Sequence, residues 1–296
     1  MTGAGGSRPG SAASTALRAG PFDDPDRYEL MEVRSRGGEG ELWRGAVRVD
    51  GVAFPVAVKV IHERHLGEIA QWRQRWRQQA EVVRSLDHPA LVKVREVFDG
   101  PVPHGPGAAD PRQPTLYLVM NWVAGATLGE WVSRSPDRDL LDVVRIVAKV
   151  AAAVDYLHSG SVAGYPILHR DIKPANVIVN GASATLVDFG FVRLVQSAPV
   201  SIAGTPAYLA PELLGGAPYT EAADRYGLGA TAFFAITGEP PVTGDNTRNR
   251  ATLVAAATIG GREELADHVL AMMSLDPARR PTSTLEWAQA LAARAV

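Results

Sequence analysis

The run His169-Arg170-Asp171-Ile172-Lys173-Pro174-Ala175-Asn176, followed downstream by Asp188-Phe189-Gly190, puts a candidate base and two oxygen-bearing candidate metal ligands into one short length of chain. Transfer of a γ-phosphoryl group needs a cation to neutralise the triphosphate and an acceptor to orient the attacking hydroxyl. An HRD-x-x-x-x-N run followed by DFG supplies both. Asp-Phe-Gly alone is also an ordinary turn, so the meaning lies in the order and spacing of the two motifs.

Upstream, Ala57-Val58-Lys59-Val60 lies in the apolar, β-branched run 52–61, which predicts a strand carrying one charge. Taken alone, such a Lys reads equally well as a strand-edge residue. Before it, Arg36-Gly37-Gly38-Glu39-Gly40-Glu41-Leu42 separates two strand-like runs, 28–33 and 42–49. Glycines there let backbone N–H groups approach phosphates closely, although a Gly-rich turn in isolation predicts only a hairpin.

Composition bounds the class. A chain of 296 residues that is 46% apolar and 21% charged has the length and balance of a globular protein with a substantial core. A net charge of −2 points to neither nucleic acid nor a membrane surface as the main partner. The absence of Cys removes disulfides, thiol catalysis and Cys-ligated zinc, and is compatible with the reducing cytoplasm. No apolar run of membrane-spanning length occurs, and residues 1–20 lack the apolar core of a signal peptide. Basic usage is lopsided, with 4 Lys (Lys59, Lys93, Lys149, Lys173) against 26 Arg. Two of the four Lys fall in the motifs above, where a compact ammonium acts as a point charge on phosphate oxygens.

Along the chain, residues 1–24 are rich in Gly, Ala, Ser and Pro and predict a disordered tail. Strands follow near 28–34, 41–49 and 52–61, with an Asp50-Gly51 hairpin turn between the last two. A helix is predicted over about 66–86, then strands at 91–98 and 115–120 separated by a Pro- and Gly-dense surface loop at 99–114. From Gly125 the pattern turns helical, most clearly over 140–158. His62-Glu63-Arg64-His65 has no further ligands at useful spacing and reads as a solvated loop. Arg73, Arg75 and Arg77 read as a basic helix face, and Trp72 and Trp76 as packing residues.

In this order the elements resemble the eukaryotic-like serine/threonine protein kinases of bacteria, from about Tyr28 to the C-terminus. Gly204-Thr205-Pro206-Ala207-Tyr208-Leu209-Ala210-Pro211-Glu212 is similar to the end of an activation segment. Asp224-Arg225-Tyr226-Gly227-Leu228-Gly229 resembles the start of the long central helix, and Asp276-Pro277-Ala278-Arg279-Arg280-Pro281 the closing motif whose Arg280 pairs with Glu212. The resemblance implies an α+β, bilobal protein kinase-like fold, with a small β-rich N-lobe over about 25–121 and a larger helical C-lobe over about 122–296. It also implies an ATP-dependent enzyme that phosphorylates Ser or Thr of protein substrates and autophosphorylates its own activation segment. Mg²⁺ is the implied cofactor, with Mn²⁺ able to stand in. Trans-autophosphorylation implies transient pairing of two copies. The expected location is cytoplasmic, since the membrane anchor and sensor domain that many bacterial members carry after the kinase are not found by Val296.

Residue roles follow the matching motifs. Asp171 is implied to orient the substrate hydroxyl and accept its proton, Lys173 to lie on the γ-phosphate, Lys59 to bind the α and β phosphates, and Asn176 and Asp188 to hold the metal. Gly37, Gly38 and Gly40 belong to the phosphate loop. Leu42, Ala57 and Ile178 offer aliphatic faces to adenine. Met120 gates the pocket behind it, and Asn121-Trp122-Val123 forms the hinge. Arg170 is expected to present an unpaired guanidinium to a phosphate on Ser197 or Ser201, while Thr205 is placed against Asp171 and Lys173.

Three positions depart from the family pattern. Ser35 replaces the first glycine of the loop and Leu42 the usual Val. More consequentially, Gln79 stands where the family places the Glu that pairs with the strand Lys. Glu81 lies about 200° round the helix from it and faces away. A neutral amide still accepts a hydrogen bond from Lys59, without charge assistance, so a looser active arrangement is expected. Two other classes stay open: a nucleotide-binding pseudokinase scaffold, which Gln79 favours, and a small-molecule phosphotransferase of kinase-like fold, which residues 204–212 disfavour.

Overall fold

A computed structural model of the chain describes residues 16–37, 40–61, 80–188, 206–256 and 262–295. The chain divides into two compact units, residues 1–62 with 98–117 and residues 63–97 with 118–296. Among the described residues no helix is long and apolar enough to cross a membrane.

Alternation of β-branched and aromatic residues builds a six-stranded sheet. Its strands are β1 (Leu17–Ala19), β2 (Tyr28–Arg36), β3 (Gly40–Val49), β4 (Val52–Ile61), β5 (Val94–Pro101) and β6 (Pro114–Asn121), in the order β1-β2-β3-β4-β6-β5. The β3–β4 hairpin closes at Asp50-Gly51, with φ of 51° and 80°, the two left-handed positions of a type I′ turn. Register then decides which side chains share a face: Leu42 pairs with Lys59 and Arg44 with Ala57, so Leu42, Ala57 and Lys59 project together. The opposite face carries Val56 and Val58, both 0% exposed. In the same unit Tyr28 stacks on Phe98 at 5.9 Å and Phe98 on Tyr117 at 4.9 Å. Thr115 Oγ1 donates to Ile61 O at 2.7 Å.

The sheet departs from the sequence-based expectation in three places. The tail expected over 1–24 instead carries β1, whose Leu17 pairs with Leu30. On its other side Arg18 exchanges both backbone hydrogen bonds with His104, at 2.7 and 3.1 Å. The stretch 99–114 is likewise tied down: His104 is buried, with Nδ1 2.8 Å from Val102 O and Nε2 3.1 Å from Asp26, whose second oxygen accepts the Gly107 N–H. Three residues of β1 are too few to show a period, and a side-chain tie to a distant carboxylate leaves none at all. The strand expected at 91–98 runs later, as Val94–Pro101, because Leu91 bridges to Leu186 instead.

In the second unit, residues 80–85 are helical, in agreement with the C-terminal end of the helix expected over 66–86; the rest of that prediction lies outside the described residues. A small sheet of β7 (Ala126–Thr127), β8 (Val177–Asn180) and β9 (Ser183–Leu186) has the order β7-β8-β9. The helices are α1 (Leu128–Arg134), α2 (Leu140–His158), α3 (Pro211–Leu214), α4 (Glu221–Thr237), α5 (Asn246–Ala255), α6 (Glu263–Met272) and α7 (Thr284–Ala295). Thr127 and Glu130 form a reciprocal capping box on α1, satisfying two of its orphan N–H groups. α2 spans the predicted 140–158, with its apolar stripe from Leu140 to Leu157 buried and packed against α4 and α7.

The expected pairing of Glu212 with Arg280 forms. Arg280 is fully buried and donates Nη1 and Nη2 to the two Glu212 oxygens, each at 2.7 Å, while Nη1 also reaches Ala222 O and Nε reaches Ser274 O. Its guanidinium lies over the Tyr226 ring at 5.1 Å. One cation therefore ties α3, the start of α4 and the segment after α6. Removing one partner of such a pair strands the other charge in the interior, at about 3–5 kcal/mol. Arg280→Ala is therefore expected to lower unfolding stability by about that much, measured by chemical denaturation against wild type. A loss below about 1 kcal/mol, the value of an exposed pair, would show that the site repacks.

Candidate functional site

The residues with candidate chemistry in the second unit are organised by one buried carboxylate. Asp224, 0% exposed on α4, accepts the backbone N–H groups of His169 and Arg170, each at 2.8 Å, and the Tyr219 hydroxyl at 2.8 Å. The His158 Nε2, from the end of α2, is 3.0 Å away. Burial works to raise the Asp224 pKa, but the bond and charge of His158, with the charge of His169 and the Arg170 N–H, overcome it and hold the carboxyl below its ordinary value. Burial lowers the pKa of His169 against the opposing pull of Asp224, Asp171 and Asp188. The same helix admits the loop because of Gly227: a Cβ there would lie 3.0 Å from Ile172 O and 3.6 Å from Tyr208 O.

On this support the loop turns sharply, with Arg170 at φ 69°, a left-handed conformation uncommon outside glycine. The Asp171 carboxylate then meets Lys173 Nζ at 2.8 and 3.0 Å and Asn176 Nδ2 at 2.8 Å. Asn176 Nδ2 also donates to Asp171 O at 2.8 Å, and the Asn176 carbonyl accepts the Val187 N–H at 2.8 Å. That last bond links the loop to the segment carrying Asp188, itself left-handed at φ 59°. Non-glycine residues in that region mark positions that the surrounding structure over-determines. Asp171, Lys173 and Asn176 are thus brought together as the sequence implied.

Arg170 differs from expectation. Its guanidinium is not unpaired but lies over the Tyr219 ring at 5.7 Å. Tyr219 and His158, neither of which the motif reading singled out, both converge on Asp224. No local pattern flags them, since each matters only through a carboxylate brought to it by the fold.

In the first unit Lys59 is 7% exposed on the face it shares with Leu42 and Ala57. Gly37 donates its N–H to Gly40 O at 2.9 Å. The two glycines have different reasons to be there. Among the described residues a Cβ on Gly37 meets only Gly40 O, at 3.9 Å, whereas a Cβ on Gly40 would collide with the Val60 carbonyl oxygen. In the second unit Met120 is 2% exposed. Asn121 donates its N–H to Lys93 O at 2.9 Å and accepts Arg95 Nε on its side-chain oxygen at 2.6 Å. Val123 is half-buried, and Ile178 sits on β8 between Thr127 and Thr185. Gly38, Gln79, Phe189, Gly190, Ser197, Ser201 and Thr205 lie outside the described residues, as do the 62–65 run, Arg73, Arg75, Arg77, Trp72 and Trp76.

Comparison with known proteins agrees with this geometry. The protein kinase domain family matches residues 36–293. Serine/threonine-protein kinase PknB of Mycobacterium tuberculosis H37Rv is 32% identical over 228 residues, which cover 75% of this chain and 34% of PknB. The chain thus spans about a third of the length of that relative. Myosin light chain kinase A of Dictyostelium discoideum is 28% identical over 224 residues, 74% of this chain and 69% of that protein. Among solved structures, the Mycobacterium tuberculosis PknI kinase domain superposes with a TM-score of 0.66 at 26% identity, covering 96% of this chain and 100% of that one.

The steric contrast between the two glycines gives an expected outcome. Gly40→Ala should cost about 1–3 kcal/mol of stability, the range for forcing extra volume into packed structure, while Gly37→Ala should melt as wild type does. Thermal denaturation of both variants checks it. Equal losses at the two positions would mean that β3 and β4 do not approach as closely at Gly40 as described.

Proposed function

We propose, because this chain belongs to the protein kinase domain family, that it transfers the γ-phosphoryl group of ATP to Ser or Thr of protein substrates, including its own activation segment. The observation that carries this reading is the Asp171 carboxylate held by Lys173 and Asn176 on a loop tied to Asp224. Asp171 orients the acceptor hydroxyl and takes its proton. Lys173 turns from Asp171 to the γ-phosphate, and Lys59 holds the α and β phosphates. Gly37, Gly38 and Gly40 form the loop that approaches the phosphates, its turn closed by the Gly37 N–H on Gly40 O. Leu42, Ala57 and Ile178 supply apolar surface to adenine, Asn121 and Val123 its polar partners, and Met120 limits depth.

The residues present fit a hard cation. Asn176 spends its amide nitrogen on Asp171, which leaves the amide oxygen, and with the Asp188 carboxylate this makes an oxygen-only donor pair suited to Mg²⁺, or Mn²⁺ in its place. When bound, the cation supplies charge neutralisation for the phosphates. The same proposal covers a cytoplasmic location, regulation by phosphate on Ser197 or Ser201 read by Arg170, Thr205 placed against Asp171 and Lys173, and transient pairing of two copies for autophosphorylation.

Purified protein incubated with labelled ATP, Mg²⁺ and a generic basic protein tests the reading directly. Asp171→Asn and Asp188→Asn are each expected to lower turnover by at least about 10²-fold while melting close to wild type. Near-wild-type turnover in Asp171→Asn would remove that residue from chemistry, and no labelling by the wild type would favour the pseudokinase scaffold.

Gln79 is proposed as the neutral partner of Lys59. Gln79→Glu is expected to raise the steady-state rate several-fold, through an ion pair worth on the order of 1 kcal/mol, with Glu81→Gln as control. A fall in Glu81→Gln with no response at 79 would identify Glu81 as the partner instead.

A further inference from the structure

The loop between α4 and α5 contains a bracket that the proposed chemistry does not use. Asn249 on α5 is 1% exposed and spends its side chain on one neighbour: Oδ1 accepts the Val242 N–H at 2.8 Å and Nδ2 donates to Val242 O at 2.9 Å. Val242 O also accepts the Asp245 N–H at 3.2 Å. A buried amide that satisfies both backbone groups of a loop residue fixes that residue's position, since releasing it would strand polar groups in the interior. The next residue, Thr243, therefore projects from a fixed base. Its Oγ1 donates to Pro206 O at 3.0 Å, and the buried Tyr226 hydroxyl lies beside it.

Pro206 opens the 206–208 turn immediately after Thr205. A proline has no N–H to tie this point of the chain, and within the turn its carbonyl accepts only the Leu209 N–H, at 3.1 Å. The Thr243 hydroxyl gives it a tie from outside. The turn and the segment after Asp171 also rest on one spot of α4, since Tyr208 O and Ile172 O both lie against Gly227. Where the 206–208 turn sits is thereby linked to where Asp171 sits.

We infer that Thr243, held by Asn249, is a positioning residue for the protein acceptor: its hydroxyl fixes the 206–208 turn relative to Asp171, and the bound acceptor segment with it. This rests on the protein kinase reading above. It assigns no contact with ATP, so it separates the two substrates kinetically.

Thr243→Val removes the hydroxyl at constant volume and Thr243→Ser keeps it. With the basic protein as acceptor, Thr243→Val should raise the acceptor KM about fivefold, the factor that accompanies loss of one hydrogen bond of ordinary strength. The KM for ATP and the melting temperature should stay at wild-type values, and Thr243→Ser should restore the acceptor KM. An unchanged acceptor KM in Thr243→Val, an equal rise in the KM for ATP, or a Ser variant as impaired as Val would each overturn the inference. Hydrogen exchange of the backbone amides over 206–216 gives a readout that needs no turnover. It should quicken in Thr243→Val and not in Thr243→Ser, and identical exchange in all three proteins would refute the bracket. If wild type transfers no phosphate, the kinase reading fails, and with it the acceptor role of Thr243, while the exchange comparison still decides whether the bracket holds the turn.

Discussion

A carboxylate with no solvent exposure has to satisfy its lone pairs with protein donors, and Asp224 does so with groups from three separate stretches of chain. Two are the backbone N–H groups of His169 and Arg170, so the position of Asp171 follows from that of Asp224. Because Arg170 is left-handed at φ 69°, the chain there pays for an unfavourable conformation that two charge-assisted hydrogen bonds offset. Asn176 Nδ2 adds a tie to Asp171 O at 2.8 Å, but the two N–H groups that flank the left-handed turn both end on this carboxylate. The buried charge is tolerable because its donors arrive from elements that the fold has already packed, α2 through His158 and the segment before α4 through Tyr219.

Helix α4 is the second half of the same constraint. It carries Asp224 at one turn and Gly227 at the next, and the absent side chain at Gly227 lets Ile172 and Tyr208 reach its backbone. Charge recruits the loop and lack of volume lets it seat. Arg280 then fixes the helix start by donating to Ala222 O while gripping Glu212, so the segment ending at Glu212 and the loop containing Asp171 refer to one rigid body. This is why short motifs far apart in sequence have a common geometry.

Such common geometry also explains which parts could be read in advance. The chemistry of phosphoryl transfer restricts residue type and spacing, so Asp171, Lys173 and Asn176 were legible as a group, and the Glu212–Arg280 pair followed from the motifs. An unbroken apolar stripe made α2 legible to the residue, and Asp50-Gly51 announced its turn through the only residue types that accept two left-handed positions cheaply. What stayed hidden depends on backbone or on distant partners. β1 exists because Arg18 finds His104 on the side away from β2. His104 is placed by Asp26. Gly40 belongs to the Gly-rich loop, yet the Val60 carbonyl demands it on steric grounds. Tyr219 and His158 gained their importance only when Asp224 was placed between them. Gly40 aside, none of these has a local motif that shows its role.

Two ion pairs in the second unit show how exposure separates fixed parts from movable ones. Arg280 and Glu212 have side chains 0% and 16% exposed, so separating them would leave charge in a medium where it is poorly solvated. Lys173 and Asp171 meet at a similar distance, 2.8 Å, but are 26% and 24% exposed. Water reaches both groups, so the attraction is partly screened and either group can be solvated when they part. In the proposed reaction Lys173 has to turn toward a phosphate while Asp171 turns toward a hydroxyl. A pair buried as deeply as Arg280–Glu212 would resist that exchange. A partly exposed pair holds both groups in place before substrate arrives and is easier to separate afterward. The fold thus keeps its strong ionic contact beneath the site and its weak one within it.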